Sequence, residues 1–246
     1  MEKYETQREF MKSSFGRGAE SDQNRGLAQP PLQKPRGQKA ETIELPLFGE
    51  DLIVESNVFR CIAERRSRRD FKDEALALAE LSYLLWATQG VQEIKGDNYA
   101  TLRPVPSGGA RHAYETYLAL GSVEGLQKGL YRYLPIEHSL LFLYQENNLA
   151  EKIKGAAGGQ DFAGKAAVNF IWACLPYRGE WRYAESSHKV MLLDAGHIGQ
   201  ALYLACQSLG LGNCALAAYD QQRMDELIQV DGKDEFTVYM SAVGRV

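Results

Sequence analysis

Residues 187–209, which run from Ser187 to Leu209 without a proline, read as one long helix. Apolar side chains occupy most of its faces, and Ala195, Gly196, Gly199, Ala201 and Ala205 keep it narrow. A helix with no broad polar face is either buried at the centre of a domain or packed against a second chain. The remaining segments must be arranged around it.

Those segments alternate between the two periodicities. Asn57–Arg66 repeats Val58, Cys61 and Ile62 at helical spacing, and Ala77–Gln89 puts Leu78, Leu81, Leu84, Leu85 and Thr88 on one face, with Gly90 as its stop. Leu149–Ala157 reads as a short helix ending at Gly158-Gly159, and Gln221–Ile228 as a helix capped by Asp220. Tyr114–Leu120, Val168–Leu175, Cys214–Ala217 and Phe236–Val243 read as strands, with Leu130–Leu134 and Leu140–Tyr144 paired around Pro135. The order lacks the regular βαβ rhythm of a doubly wound sheet, so the expectation is one α+β domain over residues 46–246. Residues 1–45 mix both charge signs with Gly16, Gly18, Gly26, Gly37, Pro30, Pro31 and Pro35 and hold no period. They read as an extended arm, either a plain linker or, through Phe10, Phe15, Leu27 and Leu32, a segment docked on a partner surface.

With 28 basic against 32 acidic residues, the chain lacks the electrostatic footprint of a nucleic-acid or membrane-surface binder. No apolar run approaches the ~18 residues of a spanning helix, and the N-terminus has no apolar signal region. A cytoplasmic protein is expected. Cys61, Cys174, Cys206 and Cys214 are scattered in apolar stretches, and the four histidines are equally dispersed, so the sequence offers neither a metal site nor a disulfide framework.

Three stretches could carry chemistry. Arg65-Arg66-Ser67-Arg68-Arg69, at the end of an amphipathic helix, suits an anion, because guanidinium forks bind phosphate bidentately and serine adds an uncharged donor. The same cluster also suits a solvated helix end complementing the macrodipole. In Arg103–Arg111, Pro104 and Pro106 fix the backbone while Gly108 and Gly109 permit close approach, either to a ligand or in an ordinary turn. Small residues from Gly210 to Asp220 would let backbone lie flat against a planar ring, or let helices pack closely. Arg245, just past the last strand, is a further candidate cation.

Taken together, Arg-x-Ser-x-Arg before Phe71, Pro106-Ser107-Gly108-Gly109 before a strand, Gly210-Leu211-Gly212 followed by small residues and Asp220, and a closing Val243-Gly244-Arg245 resemble the nitroreductase superfamily of FMN-dependent oxidoreductases. Gly129–Tyr133 with Pro135 and His138, Asp194–Gln200, and Ser21–Gly26 resemble its SagB/ThcOx-type dehydrogenase branch. The resemblance implies a nitroreductase-like α+β fold, with a central, mostly antiparallel sheet flanked by helices. It also implies an intertwined homodimer holding FMN in two sites built across the interface, and hydride transfer through flavin N5 to or from a small organic or peptide substrate. It places Arg65, Ser67 and Arg69 on the phosphate and pyrimidine edge and Arg245 near the phosphate. Pro106, Ser107, Gly108 and Gly109 match the loop lent by the other subunit, and Leu216, Ala217 and Ala218 match the backbone beside the ring.

At Ala217 many nitroreductases carry glutamate, which sets this chain apart from their nicotinamide and nitroaromatic preferences; NAD(P)H remains a candidate partner. Azoline dehydrogenases of the branch use an adjacent lysine and tyrosine before the long helix, where this chain has Arg182-Tyr183. A guanidinium does not serve as a base. Tyr177, Arg182 and Tyr183 are therefore candidates for the substrate side, or for surface packing, with no dedicated catalytic residue. The alternative function is a catalytically silent flavin-binding or scaffold subunit of a peptide-modifying (thiazole/oxazole) assembly.

Overall fold

The computed structural model describes residues 2–13, 15, 18–37 and 40–246. Of the arm, Met1, Ser14, Gly16, Arg17, Gln38 and Lys39 lie outside the described residues. In chain order the elements are α1 (Glu5–Phe10), β1 (Thr42–Glu44), α2 (Val58–Glu64), α3 (Leu78–Gln89), β2 (Glu93–Lys95), β3 (Ala100–Leu102), β4 (Tyr114–Leu120), β5 (Gly129–Leu134) and β6 (Ser139–Gln145). They continue with α4 (Leu149–Ala156), α5 (Asp161–Lys165), β7 (Val168–Cys174), α6 (Tyr177–Tyr183), α7 (Ser187–Ser208), β8 (Leu211–Leu216), α8 (Gln221–Ile228) and β9 (Phe236–Arg245).

Seven strands form one antiparallel sheet in the order β1-β6-β5-β4-β7-β9-β8. This is the expected α+β architecture. Both faces are covered, which is why β4 and β7 are buried along their whole length. Leu118, Leu120, Phe170 and Trp172 face α3 and α7, whereas Tyr117, Ala119, Ile171 and Met240 face α4 and α8. Strand alternation sorts the two sets, because neighbouring side chains leave opposite faces.

The helix signals have identifiable partners. Asn57 caps α2 by accepting from the Phe59 and Arg60 amides at 2.9 and 3.3 Å, and Asp220 caps α8 through the Arg223 amide at 3.0 Å. Gly158 and Gly159 end α4 with φ of 69° and 83°. Gly90 ends α3 for another reason: its φ is −58°, and a Cβ there would strike Trp86.

Several elements differ from the sequence reading. β8 begins at Leu211 and not Cys214, and β9 continues through Arg245, because the glycines at 212 and 244 sit within the β8–β9 ladder. The hairpin β2–β3 and the short helices α5 and α6 carry too few residues to show a period. β1 falls inside the stretch read as arm, pairing Thr42–Glu44 with Ser139–Leu141 as an edge strand. The preceding residues dock on their own chain: the Gln23 amide donates to the Trp181 carbonyl at 2.8 Å, and the Trp181 indole donates to the Leu27 carbonyl at 2.9 Å.

α7 does lie centrally, packed on α3, β8 and β9, but one side of it is uncovered: Leu192 and Leu193 are 49% and 56% exposed. On α2 the pattern is sharper. Cys61 is buried, while Val58, Phe59 and Ile62 are 65%, 74% and 59% exposed. No described helix is long and apolar enough to cross a membrane, and all four cysteines are buried and unpaired.

Candidate functional site

Past Glu64 the chain leaves α2 and runs alongside the edge strand β8. Ser67 bridges Asn213 in parallel, and the Arg68 amide donates to the Asn213 carbonyl at 2.9 Å. This strapping straddles the sheet edge. On the α7 side, the Ser67 hydroxyl lies 2.8 Å from the Tyr203 hydroxyl, and the Arg65 guanidinium sits 5.0 Å from the Tyr203 ring centroid. On the other side, the Arg69 guanidinium lies 5.6 Å from the ring centroid of Phe162. Burial pushes the Cys214 thiol up, an effect opposed by Arg69.

Arg66 is committed, donating to the carbonyls of Ala63 and Arg65 at 3.0 and 2.8 Å. Among the described residues, Arg65, Arg68 and Arg69 form no ion pair. Guanidinium groups without an ion pair beside a serine hydroxyl are a donor set that suits an anion.

At the far end of β8, Leu216 is buried but Ala217 and Ala218 are exposed. The Gln160 amide holds the Ala218 carbonyl at 3.0 Å. These two exposed residues carry no side chain beyond Cβ. Arg245 stands differently: its guanidinium is bidentate with the Glu80 carboxylate at 2.8 and 2.7 Å. Glu80 in turn accepts the Ala77 amide at the start of α3, a partnership that the spacing of the sequence did not show.

The Pro106–Gly109 loop is held by α7. Ser107 donates its hydroxyl to Asp194 at 2.7 Å and accepts the His112 amide at 3.0 Å, while the Gly108 amide points at both Asp194 oxygens at 3.2 Å. Burial raises the Asp194 carboxyl, and these donors oppose the rise. Both glycines are required by the chain itself. A Cβ on Gly108 would collide with Val190, and one on Gly109, whose φ is 61°, with Tyr183 and Arg182. Arg182 and Tyr183 therefore back the loop. Tyr177 does not reach it: at the opposite end of α6, it donates to Asp22 of the arm at 3.0 Å.

The loop touches α7 at Asp194 and the Arg65–Arg69 strap touches it at Tyr203. About 14 Å of helix separates the two. The candidate residues thus fall into two clusters: Arg65, Ser67, Arg69 and Leu216–Ala218 in one, and Pro106–Gly109, Arg182 and Tyr183 in the other. Tyr203, Phe162 and Gln160 were invisible to sequence reasoning, since each sits in a segment read only for apolarity or turn content.

The Nitroreductase family matches residues 62–245. This chain belongs to the nitroreductase family. Among nitroreductase relatives, the protein MJ1384 of Methanocaldococcus jannaschii is 30% identical over 83% of this chain and 98% of its own length. The trifolitoxin-processing protein TfxB of Rhizobium leguminosarum bv. trifolii is 29% identical over 52% of this chain. The crystal structure of a nitroreductase from Anabaena variabilis superposes with a TM-score of 0.69 at 25% identity over 85% of this chain. This nitroreductase chain spans 36% of TfxB and 42% of the Anabaena chain.

Proposed function

We propose that the chain is an FMN-dependent oxidoreductase acting as a homodimer, with each flavin held by the strap and β8 end of one subunit and the Pro106–Gly109 loop of the other. The observation that carries this reading is the Arg65–Ser67–Arg69 donor set at the sheet edge, whose arginines form no ion pair among the described residues, beside a strand that ends in exposed Ala217 and Ala218. The donors suit a phosphate and a pyrimidine edge, and the small residues suit a flat ring. Bound there, FMN would supply hydride transfer through N5. The chain's own part is to bind, orient and bias charge: Arg65 and Ser67 at the phosphate, Arg69 against negative charge on the ring. Arg245, the remaining candidate for the phosphate, is neutralised by Glu80 in this structure and would have to leave that ion pair to donate there.

Dimerisation brings the two clusters together. Its support is the exposed apolar set Val58, Phe59 and Ile62 on α2, which leads into the strap, and Leu192 and Leu193 on α7, which contacts both strap and loop. Arg182 and Tyr183, which back the loop, are proposed to face the substrate, a small organic molecule or a peptide. NAD(P)H is a candidate reductant. The TfxB relationship favours a second reading, a flavin-binding or scaffold subunit within a peptide-modifying assembly.

The test is flavin content. Wild-type protein should purify with, or take up, one FMN per subunit and bleach under an electron donor, and Arg65→Ala with Arg69→Ala should give folded, colourless protein. Stoichiometric FMN in the double variant would sink the assignment. Bleaching without turnover in any donor and acceptor pair would favour the scaffold reading.

A further inference from the structure

Tyr203 occupies a position that the flavin reading leaves without a role. Its hydroxyl lies between two partners, the Ala215 amide at 3.0 Å and the Ser67 hydroxyl at 2.8 Å, while its ring carries the Arg65 guanidinium at 5.0 Å. Ala215 belongs to the edge strand β8, where it pairs with Ser241 of β9 on the inner side. Its amide points outward and would otherwise be an open edge donor.

An amide can only donate, so the Tyr203 oxygen accepts from Ala215. The phenol has one hydrogen, and the nearest oxygen available to receive it is that of Ser67. A phenol is a stronger donor than an aliphatic alcohol, which favours Tyr203 as the donor and Ser67 as the acceptor. The Ser67 hydrogen is then not spent on Tyr203 and is left for a further acceptor, such as an anion beside Arg65.

We infer that Tyr203 is a positioning residue for flavin binding, which relays the Ala215 amide dipole through the Ser67 hydroxyl to the phosphate and supports Arg65 from below. The inference rests on the flavin reading, and it concerns the phosphate alone, since nothing in the relay faces the ring. Hydrogen bonds to charged groups are the strong ones, so loss of this donor should be measurable even though Ser67 and both arginines remain.

The experiment compares FMN and riboflavin, which differ by the phosphate, in equilibrium fluorescence titrations of apoprotein. Four proteins are needed: wild type, Tyr203→Phe, Ser67→Ala and the double variant. Phenylalanine keeps a ring under Arg65 and removes only the hydroxyl. The expected result is a roughly tenfold weaker FMN Kd for Tyr203→Phe, an unchanged riboflavin Kd, and no additional loss when Tyr203→Phe is placed in the Ser67→Ala background. Wild-type FMN affinity in Tyr203→Phe, equal losses for FMN and riboflavin, or fully additive losses would each overturn the relay. Failure of the wild type itself to bind FMN would overturn the flavin reading and the relay with it.

Because Tyr203→Phe also deprives Ala215 of its acceptor, apoprotein melting accompanies the titrations. If that variant melts early, 3-fluorotyrosine at position 203 replaces it, a stronger donor with the acceptor intact. It should tighten FMN and leave riboflavin unmoved; an unmoved FMN Kd would refute the relay.

Discussion

The loop proposed to cross to the partner's flavin is locked by a histidine that the fold holds neutral. His112 is buried just after the Pro106–Gly109 loop, in the left-handed region at φ 44°. Its amide donates to Ser107, and its Nε2 lies 3.1 Å from the Thr101 carbonyl, which can only accept, so Nε2 carries the proton. Burial pushes the imidazole down to about 2, and the charges of Arg103, Arg111 and Arg178 act in the same direction. In the unfolded chain it should titrate near its ordinary value of about 6.5.

The sign follows from linkage. Between the two values the unfolded state binds a proton that the folded state does not, so stability is lost as pH falls below about 6.5. The slope approaches ~1.4 kcal/mol per pH unit, and from neutrality to pH 5 this one residue removes about 2 kcal/mol. Against total stabilities of about 5–15 kcal/mol that is a large fraction. Glutamine at position 112 retains a donor for Thr101 but has no titration. Urea unfolding of wild type and His112→Gln, at fixed protein concentration across pH 7.5 to 4.5, should give stability curves that converge as pH falls, with the other ionisable groups cancelling in the difference. Parallel curves, or a His112 imidazole resonance that titrates in native protein above pH 5, would refute the reasoning.

Phe59→Asp combined with Leu193→Asp should convert the proposed dimer to a folded monomer that loses FMN, read by light scattering and absorbance; a monomer that keeps its flavin would contradict the shared site. Arg182→Ala and Tyr183→Phe should leave FMN content intact while changing reoxidation of pre-reduced protein by acceptors of different size, measured by stopped flow, since the proposed phosphate anchor lies elsewhere. Unchanged reoxidation across all acceptors, in both variants, would return these residues to loop packing.

The parts of the fold that could be read from sequence were those in which one periodicity persisted. β4 was bounded at Tyr114 and Leu120 and α8 at Gln221 and Ile228 because alternation or a cap marked each end. The three-residue strands β1, β2 and β3 and the helices α5 and α6 are shorter than the window in which either period becomes visible, and they form through contacts with distant residues. Within the candidate site, the Arg65–Ser67–Arg69 cluster could be singled out because charge density is local in sequence. The Glu80 partner of Arg245 and the Tyr203 partner of Ser67 could not, since each pairing spans more than a hundred residues. The glycines of the loop illustrate the opposite case: their smallness was legible, but it serves Val190 and Tyr183 of the same chain.

The arm and the substrate side meet in α6. At one end of this helix Arg178 is buried, pairing with Glu115 at 2.5 Å and donating to the Pro31 carbonyl at 3.0 Å, while the Lys34 amide donates to the same carboxylate at 2.8 Å. Arg132 of β5 completes the clamp by holding the carbonyls of Lys34 and Pro35 at 3.0 Å. Prolines suit such a seat, since they lack amides that would need partners and their fixed φ limits the entropy lost on docking. At the other end, Arg182 and Tyr183 back Gly109. Without the arm, Arg132 would lose both carbonyl partners and Arg178 one of its two, leaving Glu115 as their shared carboxylate, so the arm completes the clamp. The arm thus fixes the position of α6, and α6 fixes the loop that the flavin reading sends to the other subunit. A segment that looks dispensable in composition is by this chain of contacts a support of the site.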